Sequence, residues 1–163
     1  MKYIILLVLL AHLTGCSENT PPKTGFEDQP IPAVNLLLTD SSSYLNTKDI
    51  PKGQWTVLFY FSPECPYCRA QMTEITEKIN QLKAVRIYAM TFGRFNSFKD
   101  FSDEFKLNKF SNITTGLDYT YSIGRHFKLK SVPFTAIYNP QNKLSGAFFG
   151  KISVNQIKDV IGS

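Results

Sequence analysis

Hydrophobic and polar positions along the chain switch between two periods. Trp55–Phe61 (WTVLFYF) is an unbroken apolar run bounded by Gly53 and Pro63. Its β-branched and aromatic content predicts a central buried strand. From Pro66 to about Leu82 the period changes, with Cys68, Met72, Ile75, Ile79 and Leu82 at helical spacing. That is one apolar face of an amphipathic helix. Val85–Phe92 predicts a second strand, and Ser97 then caps a helix carrying Phe98, Phe101 and Phe105 on one side. Ile113–Leu117 predicts a third strand, after which Asp118 caps a short helix with Tyr119, Ile123 and Phe127 aligned every four residues. Phe134–Tyr138 and Leu144–Phe149 flank Asn139-Pro140-Gln141-Asn142-Lys143, a hairpin turn. Ser153-Val154-Asn155-Gln156 fits a capping box, and the helix it opens turns Ile157, Val160 and Ile161 inward. Upstream, Val34–Leu38 and Tyr44–Leu45 flank a polar turn and form a small N-terminal hairpin. Strands alternating with helices imply parallel pairing through crossovers, and the last hairpin adds antiparallel strands. The fold class is therefore α/β, a central mixed sheet flanked by helices with an N-terminal β-hairpin extension.

The first residues follow a different logic. Lys2 supplies a positive start, and Tyr3 to Ala11 is an apolar run of nine residues. That is too short to span a bilayer and suits a signal segment. Leu13-Thr14-Gly15-Cys16 follows and resembles the lipobox of bacterial lipoproteins. The resemblance implies removal of residues 1–15 and lipidation of Cys16. Several acyl chains on one residue anchor stably where a single chain does not. Ser17, rather than Asp, points to the outer membrane by the same resemblance. Residues 16–30 are polar and carry Pro21, Pro22 and Pro30, an extended tether ahead of a domain spanning 31–163.

Composition narrows the function. Apolar residues make up 43% and charged residues 19%, an ordinary soluble globular balance. The formal charge is +5, and residues 1–15 hold one Lys, so the remainder carries +4. No Lys/Arg run stands out, which gives no nucleic-acid footprint. The three cysteines are Cys16, Cys65 and Cys68. With Cys16 at the processing site, the other two are a pair and none is left over.

Cys65-Pro66-Tyr67-Cys68 sits where the buried strand ends and the long helix begins. Helix-start amides stabilise negative charge, and such placement lowers a thiol pKa from about 8.5 to roughly 3.5–7.5. A spacing of two lets the first turn bring the sulfurs together, and Pro66 needs no backbone donor there. Cys68 lies on the apolar stripe and is expected to be buried. That asymmetry makes Cys65 the attacking nucleophile and Cys68 the resolving thiol. A zinc ribbon needs a second cysteine pair, so no metal is expected. Val132-Pro133 opens the strand Phe134–Tyr138, about 65 residues after the motif.

The stretches FYFSPECPYCRAQMTEI, SVPFTAIYNPQNKL and FFG resemble the thioredoxin superfamily, in particular its TlpA-like and redoxin envelope reductases. The resemblance covers about residues 31–162. It implies a thioredoxin-like fold and a thiol–disulfide oxidoreductase needing no cofactor. It makes Pro133 a cis-proline facing the cysteines and places a client beside Val132, Pro133, Pro66 and Tyr67. The implied partners are exported protein disulfides or thiols, a membrane or periplasmic electron donor and, through Cys16, the membrane of the cell envelope. The expected state is a monomer. Phe59 stands where thioredoxins bury an acid six residues before the first Cys. Glu64 is only a weak substitute and, if close and ionised, would oppose ionisation of Cys65. Pro-Tyr between the cysteines resembles glutaredoxins. Two other functions compete. A peroxiredoxin-type peroxidase would use Ser62, three residues before Cys65, although Leu58 stands where that family has a Pro. A copper-binding thioredoxin-like chaperone would use His126.

Overall fold

A computed structural model describes residues 20–162. Seven strands form one mixed sheet in the order β2-β1-β5-β4-β3-β6-β7. They are β1 (Asn35–Leu37), β2 (Tyr44–Asn46), β3 (Trp55–Phe61), β4 (Val85–Thr91), β5 (Ile113–Leu117), β6 (Phe134–Tyr138) and β7 (Leu144–Phe149). The helices are α1 (Pro66–Glu77), α2 (Phe95–Glu104), α3 (Ser122–His126) and α4 (Val154–Ile161). β3, β4 and β5 pair in parallel, and every other pairing is antiparallel.

Alternation along β3 divides the core. Val57, Phe59 and Phe61 join one apolar cluster with Cys68, Met72 and Ile75 of α1, Phe101 of α2 and Ile157 of α4. Leu58 and Tyr60 point the other way, to Met90, Ile123, Phe127 and Phe134. Both faces of β3 are covered, so its sequence reads as a continuous apolar run.

Three local expectations are corrected. The helix starting at Pro66 ends at Glu77, and Ile79–Leu82 is a separate 3₁₀ turn. Helix α2 starts at Phe95, so Ser97 lies inside it and Arg94 holds the cap position without a side-chain cap. Tyr119 is exposed and precedes α3, while Ile123 and Phe127 are buried. Tyr121 holds the N-cap position of α3, while the Asp118 carboxylate three residues earlier accepts from the first two helical amides, those of Ser122 and Ile123, at 3.0 and 2.9 Å. The capping box of α4 forms as expected between Ser153 and Gln156.

The expected signal segment (residues 1–15) and Cys16 lie outside the described residues. Of the expected tether, residues 20–30 are described, and they lie against the domain. The Asp28 amide donates to Leu144 O and the Leu144 amide to Gln29 O, each at 3.0 Å. Pro30 bridges to Lys143. Phe26 packs on His126 and Phe127, with ring centroids 5.0 and 5.2 Å away. Among the described residues, no helix is long and apolar enough to cross a membrane.

Candidate active site

The site lies at the end of β3, where the chain turns through Ser62-Pro63-Glu64 into α1. Cys65 is the N-cap of α1, and its sulfur accepts from the Cys68 amide at 3.4 Å. Pro66 takes the first helical position, where no amide donor is needed. Both cysteines are free thiols, Cys65 partly exposed and Cys68 fully buried. Burial pushes the Cys68 thiol well above its ordinary pKa, and its hydrogen bond with Cys65 adds to the shift.

The loop before β6 closes the other side. The Val132–Pro133 peptide bond is cis, and the Cys65 thiol faces the Val132 carbonyl at 3.6 Å. Pro133 is also tied to the end of β7, because the Gly150 amide donates to its carbonyl at 2.8 Å. Cys65, Cys68, Val132 and Pro133 therefore meet at one end of the sheet. Tyr67 is exposed on the first turn of α1, beside the thiols.

Phe59 shares the apolar cluster around Cys68, so the buried position expected for an acid holds a hydrocarbon ring. Glu64 is exposed and accepts from the Ser62 hydroxyl at 2.9 Å; that bond holds its carboxyl below the usual carboxylate range. His126 packs on Phe26 and Phe127.

Several contributors escape sequence reasoning. A groove of about 450 Å³ opens beside Cys65, walled by Phe92, Tyr121 and Val132, with Glu64 and Lys130 also lining it. Arg69, one residue past Cys68, donates to Pro63 O at 3.2 Å, pairs with Glu104 and lies over the Phe101 and Phe105 rings. It braces the turn that carries Cys65. Arg at that position was the signal available in sequence, but its side-chain partners come from α2 and from Phe105, which follows it.

A strand that delivers a dithiol to a helix start, opposite a cis-proline loop, defines a thioredoxin-like redox site. The chain belongs to the AhpC/TSA family, whose model matches residues 28–148. It is 23% identical over 161 residues to the sporulation thiol-disulfide oxidoreductase A of Bacillus subtilis (strain 168), covering 96% of this chain and 92% of that protein. Its fold is similar to a DsbE-type thiol:disulfide interchange protein from Chlorobium tepidum, with TM-score 0.69, 14% identity and coverage of 83% and 94% of the two chains. It is also similar to a secreted Mycobacterium tuberculosis disulfide oxidoreductase, with TM-score 0.65, 15% identity and coverage of 78% and 93%. Family, fold and dithiol together place the chain among the thiol–disulfide oxidoreductases.

Proposed function

We propose that this protein exchanges disulfides with exported proteins from a lipid anchor on the cell envelope, working in the reducing direction. The observation that carries the chemistry is the setting of Cys65. Its sulfur lies at a helix start, between the Cys68 amide and the Val132 carbonyl, and is partly open to solvent.

Cys65 attacks a client disulfide as the thiolate. A Cys65–client disulfide forms, and the second client sulfur leaves and takes up a proton. Cys68 then gives up its proton and attacks Cys65, releasing the reduced client and leaving a Cys65–Cys68 disulfide. A membrane or periplasmic donor returns two electrons and two protons to that disulfide. Val132 and Pro133 hold the client backbone, with Pro66 and Tyr67 touching it from the helix side. No cofactor or metal enters any step.

Anchoring rests on the Leu13-Thr14-Gly15-Cys16 resemblance. Residues 1–15 are the removed leader, Cys16 carries the lipid, residues 16–30 lead from the anchor, and residues 31–163 are the catalytic domain in the periplasm. Ser17 favours the outer membrane.

The family match also supports a thiol peroxidase, which would call on Ser62. The Ser62 hydroxyl donates to Glu64, and Leu58 stands where peroxiredoxin-type peroxidases have a Pro, so disulfide exchange is the better reading.

The deciding experiment uses Cys68→Ser in the native envelope. Without the resolving thiol, Cys65 should accumulate mixed disulfides with exported proteins, visible on non-reducing gels and absent from Cys65→Ser. If the Cys68→Ser protein traps nothing and still turns over disulfides, the two-thiol mechanism is wrong. Peroxide consumption faster than insulin reduction would favour the peroxidase.

A further inference from the structure

The wall of the groove beside Cys65 is built rather than incidental. Tyr121 adopts a left-handed backbone conformation (φ 54°), which costs a bulky residue strain and persists only where its surroundings impose it. Three contacts impose it. The Asp118 carboxylate holds the amides of the next two residues, Ser122 and Ile123. The Tyr121 hydroxyl donates to Leu129 O at 3.2 Å. The ring also occupies the space over Gly124, where a Cβ would lie 2.1 Å from it. Phe92 meets Tyr121 edge-on at 5.1 Å, and both rings stand near Tyr60, at 5.7 and 6.2 Å. Tyr60 is fully buried, while Phe92 and Tyr121 keep part of their surface open to the groove.

We propose that Phe92 and Tyr121 form a specificity subsite that takes a large apolar side chain, preferably aromatic, two residues from the client cysteine. The inference rests on the disulfide-exchange reading and names the client segment that reading leaves open. In an extended client, side chains two apart share one face, so the residue at that spacing is the nearest to point the same way as the cysteine. With the client cysteine on Cys65 and its backbone along Val132, that side chain enters the groove. There it adds an edge or offset face to two fixed rings, the arrangement aromatic pairs prefer. The rings are already held, so little ordering cost falls on binding.

The test uses the Cys68→Ser protein and short peptides, each with one cysteine in a disulfide with glutathione. The residue two positions before or after the cysteine is Phe, Leu, Ala or Asp. Cys65 attacks the peptide sulfur, the peptide–glutathione bond breaks, and glutathione leaves as a thiolate that takes up a proton. The Cys65–peptide adduct persists and is timed by mass spectrometry. The Phe peptide should form its adduct about ten-fold faster than the Ala peptide at one of the two positions, equivalent to about 1.4 kcal/mol. Leu should fall between them, with Asp no faster than Ala. On a Cys68→Ser/Phe92→Ala protein the Phe-to-Ala ratio should drop close to one. Rates within two-fold across the series, or a ratio that survives Phe92→Ala, would overturn the subsite. Failure of every peptide to form an adduct would instead sink the disulfide-exchange reading.

Discussion

Asp118 offers a stringent test of the structure, because a fully buried carboxylate is tolerated only when its acceptors are filled. It takes four donors: the amides of Ser122 and Ile123, the Thr120 hydroxyl at 3.2 Å and the Tyr60 hydroxyl at 3.1 Å. Asp118→Ala removes the acceptor of the first two α3 amides, a loss comparable to that of a helix cap, about 0.5–2 kcal/mol. It also strands the buried Tyr60 hydroxyl, which costs about 1–3 kcal/mol. The two losses share one site, and together they should amount to about 1.5–5 kcal/mol. That is a large part of an ordinary domain stability of about 5–15 kcal/mol. Urea unfolding followed by the single tryptophan, Trp55, reads it as a lower midpoint at unchanged slope. Tyr60→Phe alone leaves three donors in place and should cost only about 0.5–1.5 kcal/mol. In the Tyr60→Phe background no hydroxyl is left to strand, so Asp118→Ala should cost at least ~1 kcal/mol less than it does alone. Strict additivity of the two changes, or a loss below ~0.5 kcal/mol for Asp118→Ala, would refute the reasoning.

Gln71 is buried in α1, donates to the Thr135 hydroxyl at 2.9 Å and accepts from the Ile152 amide at 3.1 Å. Gln71→Leu leaves that amide unpaired and should destabilise by about 1–3 kcal/mol in the same urea assay; an unchanged midpoint would contradict it. His126 has its pKa lowered from its usual value near 6.5 by burial. Between its folded pKa and 6.5 the unfolded chain binds more protons, so its contribution to stability is intact above 6.5 and shrinks as pH falls through that window. Wild type should therefore lose more urea resistance than His126→Phe between pH 7.5 and 5; parallel profiles would show that His126 does not titrate in this way. Because burial raises the Cys68 pKa, its thiolate fraction climbs ten-fold per pH unit below that pKa. Decay of the transient Cys65–client mixed disulfide on the wild-type protein should accelerate accordingly between pH 6 and 8, measured by stopped-flow. A flat profile would require a proton acceptor beside Cys68.

What the sequence disclosed follows from how local each determinant is. β3 was legible to the residue, Trp55–Phe61, because both its faces are buried and Gly53 and Pro63 mark its limits. The α1 boundary was not, because a 3₁₀ turn at Ile79–Leu82 continues the same apolar face for one turn. Tyr119 fitted a four-residue period with Ile123 and Phe127, but the left-handed turn at Tyr121 breaks that phase before α3 begins. The dithiol could be read from four consecutive residues. Its groove could not, since Phe92 and Tyr121 lie 27 and 56 residues beyond Cys65 and meet it only when β4 and β5 stack in parallel beside β3. Phe59 shows the converse. Its identity alone announced that the buried acid was missing, and the packing gives the consequence: Cys68 sits among hydrocarbon, and its thiol is costly to ionise.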